Sequence, residues 1–325
     1  DDPVDIVDRN PSLVNLSIVR LKGYFHAPFW EAVSRLRHLT TLRLQYVNIV
    51  PTDAFWAACR NLEQLHMIST TFVVDNHFCV PEQSFPRMQS LSISNVRFFK
   101  HMEELKMIRQ CQQLKDLVWR SRCSSQGVQE FIQGLVQGLW PNLESFDPGF
   151  NIPDQSVNQI LCGMKRITKL YLTRTKFGPI VFQTLRHHFN TLVVFDHRGG
   201  SGPTSEMLRE IMCSCPNLSE LRGDYIVANE VVQDNPWVCS SLKFLQVCFR
   251  FEGSKPNIQQ MIFVRLSGLT QLEEFQFGGW SAGPTLGFQE GLDLRLESGM
   301  GLLTSLKNIK LLNFYATTQI FGEDD

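Results

Sequence analysis

Gly279-Trp280-Ser281-Ala282-Gly283 is a G-x-S-x-G pentapeptide following an alternating apolar stretch, Glu274 to Phe277. That spacing lifts a serine onto a sharp strand-to-helix turn, where its hydroxyl serves as a nucleophile; the chemistry would be hydrolysis with Ser281 as the catalytic residue. The order of the other parts argues against it. The base should follow the serine along the chain, yet the last of the eight His is His197, and Pro284 comes directly after the motif. Arg198-Gly199-Gly200-Ser201-Gly202-Pro203-Thr204-Ser205 sets glycines before a helix start, as a phosphate cradle does, but lacks the Gly-Lys-Ser/Thr ending and reads as a loop. His187, His188 and His197 with Cys213 or Cys215 are metal-ligating types. No H-x-x-x-H or H-E-x-x-H spacing joins them, so neither a metal nor another cofactor is expected.

A more regular set of reactive side chains follows a recurring leucine at fixed offsets. It comprises Asp116, Arg120, Asp147, Lys169, Tyr171, Arg174, Asp196, Arg198, Arg222, Asp224 and Tyr225. Arg offers a planar fork of donors and Tyr a stiff amphipathic ring, the types that anchor protein interfaces. The alternative is a solvated face whose charges pair among themselves.

The elements that must position these residues come from an internal repeat, L-x-x-L-x-L with Ile, Met, Val or Phe in place of Leu. It starts at Leu13, Leu39, Leu62, Met88, Leu114, Leu143, Ile167, Leu192, Leu218, Leu242, Leu272 and Leu306. Its fourth residues, from Leu16 to Ile309, recur every 27 residues or so, within the range of leucine-rich repeats. Alternation at the fourth to sixth positions is the period of a strand, with two side chains inward and one outward. Segments of helical spacing lie between, among them Ala27 to Leu36, Pro51 to Cys59, Gln126 to Leu139 and Thr204 to Cys213. A strand and a helix repeated in this way bury their apolar edges only by stacking on neighbours. The expected fold is therefore an α/β leucine-rich-repeat solenoid, a curved parallel sheet with helices on the convex side, in about twelve irregular repeats. Residues 1–325 are expected to form a single domain, with 1–12 the start of a truncated N-terminal repeat and 312–325 a tail. On this plan the third, fifth, seventh and eighth positions of each unit face solvent on the concave side, where all eleven candidates lie. The slot three residues before each unit holds Cys59, Cys111, Cys215 and Cys239 interchangeably with Leu, Phe, Trp and Met, so these thiols are expected in the core.

Composition narrows the function classes. Lys and Arg number 31 against 32 Asp and Glu, a net charge of −1, so no sequence-wide field holds nucleic acid or an anionic membrane. Hydrophobic residues at 43% support a packed core, and no apolar run reaches the roughly 20 residues of a membrane span. Nine Cys with no C-x-x-C fit a reduced, intracellular setting, cytoplasm or nucleus. The chain opens on Asp1-Asp2-Pro3 without Met or a secretory signal and reads as a fragment.

Cys215-Pro216-Asn217-Leu218-Ser219-Glu220-Leu221 resembles the C-P-N-L-x-x-L start of cysteine-containing leucine-rich repeats, with Cys59-Arg60-Asn61-Leu62 and Trp140-Pro141-Asn142-Leu143 as looser copies. Such repeats are common in F-box proteins, and the chain looks most like the irregular F-box-like repeat proteins of fungi. The resemblance implies a non-enzymatic protein-binding role, the substrate-recognition arm of an SCF ubiquitin ligase. A Skp adaptor and cullin would then be reached through an F-box that residues 1–325 do not contain. A stand-alone scaffold or inhibitor of the ribonuclease-inhibitor type is the alternative within binding proteins. The chain departs from the family at the ninth position, where a Cys or Asn ladder is replaced by Val47, Thr70 and Val96 among others.

Overall fold

The computed structural model describes residues 2–20, 24–73, 79–97, 103–120, 124–149, 152–173, 175–199, 202–232, 235–251, 256–277, 289–290, 296 and 299–314. The chain divides into two compact units, Asp1–Phe150 with Cys162–Arg166, and Asn151–Leu161 with Ile167–Asp325.

The first unit runs α1 (Pro3–Asp8), β1 (Asn15–Val19), β2 (Tyr24–Phe25), α2 (Ala27–Ser34), β3 (Thr41–Gln45), β4 (Asn48–Ile49), α3 (Asp53–Cys59), β5 (Gln64–Ile68) and β6 (Thr71–Phe72). It continues with β7 (Ser90–Ser94), α4 (Glu103–Gln110), β8 (Asp116–Arg120), α5 (Ser125–Val136) and β9 (Ser145–Asp147). Strands β1, β3, β5, β7, β8 and β9 pair in that order, all parallel, with Leu16, Leu42, Leu65, Leu91, Leu117 and Phe146 in one register row. All but Leu16 are buried, so the fourth-position leucines form the spine that the repeat predicts. Helices start where the sequence provides caps: the hydroxyls of Thr52 and Ser124 accept from the N–H groups of Phe55 and Gly127. Behind the sheet, Trp30, Phe55, Trp56 and Phe85 pass ring contacts from repeat to repeat at 4.7, 4.8 and 6.0 Å.

The first four strands end alike. Arg20, Tyr46, Ser69 and Asn95, the eighth residue of each unit, all have positive φ between 49° and 55°. Left-handed backbone at a non-glycine residue costs about 1–2 kcal/mol. The bend is held because it keeps backbone bonds running between repeats: Arg20 N donates to Gln45 O at 2.9 Å, Tyr46 N to Ile68 O at 2.9 Å and Ser69 N to Ser94 O at 2.8 Å. Immediately beyond, β2, β4 and β6 form a second parallel sheet. Thr71 N donates to Val47 O at 3.0 Å and Arg97 N to Thr70 O at 2.9 Å, with Val47, Thr70 and Val96 buried beneath. A ladder of main-chain bonds thus stands where the family pattern would place side-chain amides.

The second unit includes α6 (Asp154–Gly163) as far as Leu161, then β10 (Lys169–Tyr171), α7 (Pro179–Arg186), β11 (Val194–Asp196), α8 (Ser205–Ser214), β12 (Glu220–Val227) and α9 (Ala228–Val231). β13 (Phe244–Phe251), α10 (Pro256–Ser267), β14 (Glu274–Phe277), β15 (Gln289–Glu290), a 3-10 helix at Met300–Ser305 and β16 (Leu311–Phe314) complete it. Strands β10, β11, β12, β13, β14 and β16 are parallel in that order, and β15 lies antiparallel to β13. Leu170, Phe195, Leu221, Leu245 and Phe275 form the spine. The last repeat corrects the sequence reading. Phe275 pairs with Leu312, three residues beyond Ile309, and Leu306 rather than Leu303 fills the buried slot ahead of the strand. Apolar residues three apart at 306, 309 and 312 satisfy the motif in either register; the two N–H groups of Lys310 and Leu311 on Glu273 O choose between them.

Both units are therefore built as an α/β leucine-rich-repeat solenoid, each repeat giving one strand to the main sheet and the first three a second short strand to the other. Cys59, Cys111, Cys215 and Cys239 are fully buried, as their slot implies, and burial pushes every one of these thiols upward. Asn10, in the same slot, is exposed. Among the described residues no helix is long and apolar enough to cross a membrane.

Candidate functional site

Three of the eleven candidates belong to the first unit. Asp116 and Arg120 occupy the ends of β8 on its outward side, and Asp147 closes β9. Arg120 Nε and Nη2 both donate to Asp147 Oδ2, at 3.0 and 2.6 Å. The Asp147 side chain is only 3% exposed, against 50% for Arg120. Expected to face solvent, Asp147 lies instead beneath its guanidinium, because a carboxylate leaves water only when a charged donor replaces it. Gly149, at φ 56°, makes room for the stem of Arg120, with which any β-carbon there would collide.

In the second unit the same device recurs on β11. Asp196 is 2% exposed, not solvent-facing as its slot suggests. Arg198 Nε donates to Asp196 Oδ1 at 3.0 Å and Nη2 to Oδ2 at 2.7 Å, a bidentate fork. The third arm, Nη1, reaches Gln246 Oε1 at 3.2 Å on β13, so Arg198 bridges past the intervening strand β12. On β12 Arg222 sits between Asp196 and Gln246 in register, stacks on the Phe244 ring at 4.3 Å and donates to Glu220 at 3.2 Å. A register shift between Arg222 and Tyr225 marks a bulge, after which Tyr225 pairs with Cys248 and lies under Arg250 at 4.5 Å. Lys169 is exposed and Tyr171 half-exposed on β10, with Tyr171 in register with Asp196. Arg174, the side chain of Asp224 and the whole Ser281 motif lie outside the described residues.

Gln246, Phe244 and Arg250 were not among the sequence candidates. The first two occupy the fifth and third slots of the tenth unit, so extending the same slot rule by one repeat finds them. Arg250 lies beyond any slot because β12 and β13 run to eight residues rather than three.

His197, next to this cluster, is fully enclosed. Its ring lies against Gly202 and Gly223, 5.2 Å from Phe195, and among the described residues neither ring nitrogen has a hydrogen-bond partner. Burial lowers its pKa to about 4, opposed by the charge of Asp196, so the ring is neutral at pH 7. It is a core residue; among the described residues no three His, Cys, Asp or Glu side chains are arranged to hold an ion. The glycine-rich loop ahead of α8 ends in a helix cap, with Thr204 Oγ1 accepting from Met207 N at 3.2 Å. What the outward face offers is recognition chemistry: guanidinium planes fixed by buried carboxylates, aromatic faces and a row of polar side chains.

No protein-family profile matches the chain, and no curated protein sequence matches it. Among solved structures it is similar to an internalin from Listeria monocytogenes, with 11% identity over 98% of this chain and 84% of the internalin and a TM-score of 0.48. A leucine-rich-repeat protein of Leptospira interrogans is similar at 16% identity, over 97% of this chain and 82% of that one, with a TM-score of 0.44. The plant peptide hormone receptor RGFR1 in complex with RGF2 is similar at 13% identity, over 98% of this chain and 50% of the receptor, with a TM-score of 0.36.

Proposed function

We propose that the chain is a protein–protein interaction module, without a catalytic role, that takes its partner on the outward face of the parallel sheet. The observation that carries this reading is the Asp196, Arg198 and Gln246 bracket beside Arg222 on Phe244. Arginines already fixed by neighbours lose little conformational entropy on binding, and aromatic faces beside them provide the apolar contact. An enzyme site would set a nucleophile and a base together; the charged groups described on this face are spent instead on holding one another.

The finer reading is that the module is the substrate-recognition arm of an F-box-type SCF ubiquitin ligase. The Cys215-Pro216-Asn217-Leu218 signature supports it, as do the core thiols that fill the family's cysteine slot. A Skp adaptor and cullin would engage an F-box carried outside these residues, and the site of action would be the cytoplasm or nucleus. Capture of the native gene product, with and without proteasome inhibition, tests it. Co-purified Skp adaptor and cullin, together with a partner that accumulates only under inhibition, are the expected result. A stable partner with no adaptor would leave the scaffold reading and remove the ligase.

A further inference from the structure

The left-handed bend that ends the first strands brings Arg20 over the ring of Tyr46, at 5.5 Å. Both side chains are exposed, as is Val19 next to Arg20 in the chain. Arg43 stands three residues before Tyr46 on β3, and Arg97 lies beyond the bend of the fourth repeat, bridged to Thr71. All three arginines are exposed, and among the described residues none has an ion-pair partner. Farther along the outward face the arginines are occupied: Arg120, Arg198 and Arg222 each hold a carboxylate.

The sequence keeps acids away from this region. Through the first four units no Asp or Glu stands at the third, fifth, seventh, eighth or tenth position, although the chain has as many acids as bases to within one. From the fifth unit on, Asp116, Asp147, Asp196 and Glu220 return to those slots. An exposed guanidinium without a carboxylate presents its planar fork of donors to water, ready for an acidic group. Spacing decides the form of the ligand. Arg43 and Arg20 are one strand and three residues apart, about 10 Å, and Arg20 and Arg97 are three repeats apart, about 14 Å. No single small anion spans these gaps. An extended chain advancing about 3.3 Å per residue does, with an acid every three or four residues. Three cations so far apart release few counterions, which favours a protein segment over a nucleic acid. Tyr46 and Val19 add a seat for an apolar side chain.

We infer that Arg20, Arg43 and Arg97, with Tyr46 between the first two, form a docking surface for an extended acidic segment of a protein partner. The inference rests on the outward face being a protein-binding face, but the surface shares no residue with the bracket of Asp196, Arg198 and Gln246.

The test uses a short fluorescein-labelled peptide of Gly and Ser with Glu at every third position and one Leu, followed by fluorescence anisotropy with the full chain. The Glu peptide is expected to bind, more weakly as salt rises, and to bind more tightly than its Gln counterpart or a single-stranded DNA oligomer of equal charge. Arg20→Gln, Arg43→Gln and Arg97→Gln should each weaken binding by about two- to fivefold, as for an exposed ion pair, and the triple variant by roughly the product, with the circular dichroism spectrum unchanged. Arg60→Gln, exposed at the end of α3, should leave binding as it is. No binding of the Glu peptide, equal binding of the Gln peptide, or undiminished binding by the triple variant overturns the surface. Tighter binding of the DNA oligomer overturns the choice of a protein segment. An undiminished triple variant together with a loss in Arg60→Gln would place the peptide off the sheet face and count against the outward-face reading as well.

Discussion

His197 shows how a side chain whose type suggests chemistry ends as a structural liability. Its neutral ring carries one donor and one acceptor, neither of them paired among the described residues, and burying such a group unpaired costs about 1–3 kcal/mol. Because its folded pKa of about 4 lies below the ordinary 6.5, the unfolded chain binds the extra proton between those values. Stability from this group is therefore complete above pH 6.5 and is lost as the pH falls toward 4, by a few kcal/mol in all. Denaturant unfolding at pH 7.5 and 5 should show wild type losing markedly more than His197→Leu; parallel losses would exclude the ring as the source. Gly149 is the opposite case, a residue with no side chain that positions one. Gly149→Ala displaces the stem of Arg120 and weakens its fork on the buried Asp147, for a loss of about 1–3 kcal/mol in the melting free energy. An unchanged melting curve would mean that Arg120 finds Asp147 by another route. Neither effect is legible in the sequence, since burial of Asp147 and Asp196 depends on which arginine folds over each. The slot rule gives the face of a residue but not what lies above it.

At the scale of the element, the period-two alternation around Leu42, Leu65, Leu91 and Leu117 foretells the strands and their register, because a shift by one residue would turn every spine leucine to solvent. Helices α2, α3, α5 and α8 fall within a few residues of their expected spans, marked by caps and prolines. What the pattern conceals is the left-handed bend after the early strands, since Arg20, Tyr46, Ser69 and Asn95 share no type. Only Asn is at ease there; the bend is imposed by the two parallel sheets on either side of it. Ser69→Gly should relieve the bend and raise stability by up to about 1 kcal/mol, since the relief exceeds the backbone entropy that glycine loses. A destabilised variant would show that the bend carries no strain. The last repeat was misread for a related reason: leucines spaced by three offer two registers, and only the backbone bonds to Glu273 separate them.

For the whole molecule, the repeats account for a parallel sheet in each unit whose inward leucines make the core and whose outward slots we propose are left for recognition. The sequence reading treats residues 1–325 as one domain, and we propose that calorimetry of the full chain will give one cooperative transition; two separated transitions would make the units separate domains. The proposed partner face was legible in part. Its first residues follow from slot arithmetic, as Phe244 and Gln246 do once the rule is carried one repeat further, whereas Arg250 depends on the lengthening of β12 and β13, which the repeat does not encode. The central claim is that this sheet face, not the helical side, meets the partner. Hydroxyl-radical footprinting of the complex tests it most directly, because reporters stand on both sides: Tyr171 and Tyr225 on the sheet, Ile180 and Met261 on helices, 48% and 42% exposed. Partner binding should suppress labelling of the two tyrosines and leave Ile180 and Met261 as reactive as in the free chain. Protection of the helical pair with the tyrosines still labelled would contradict the account.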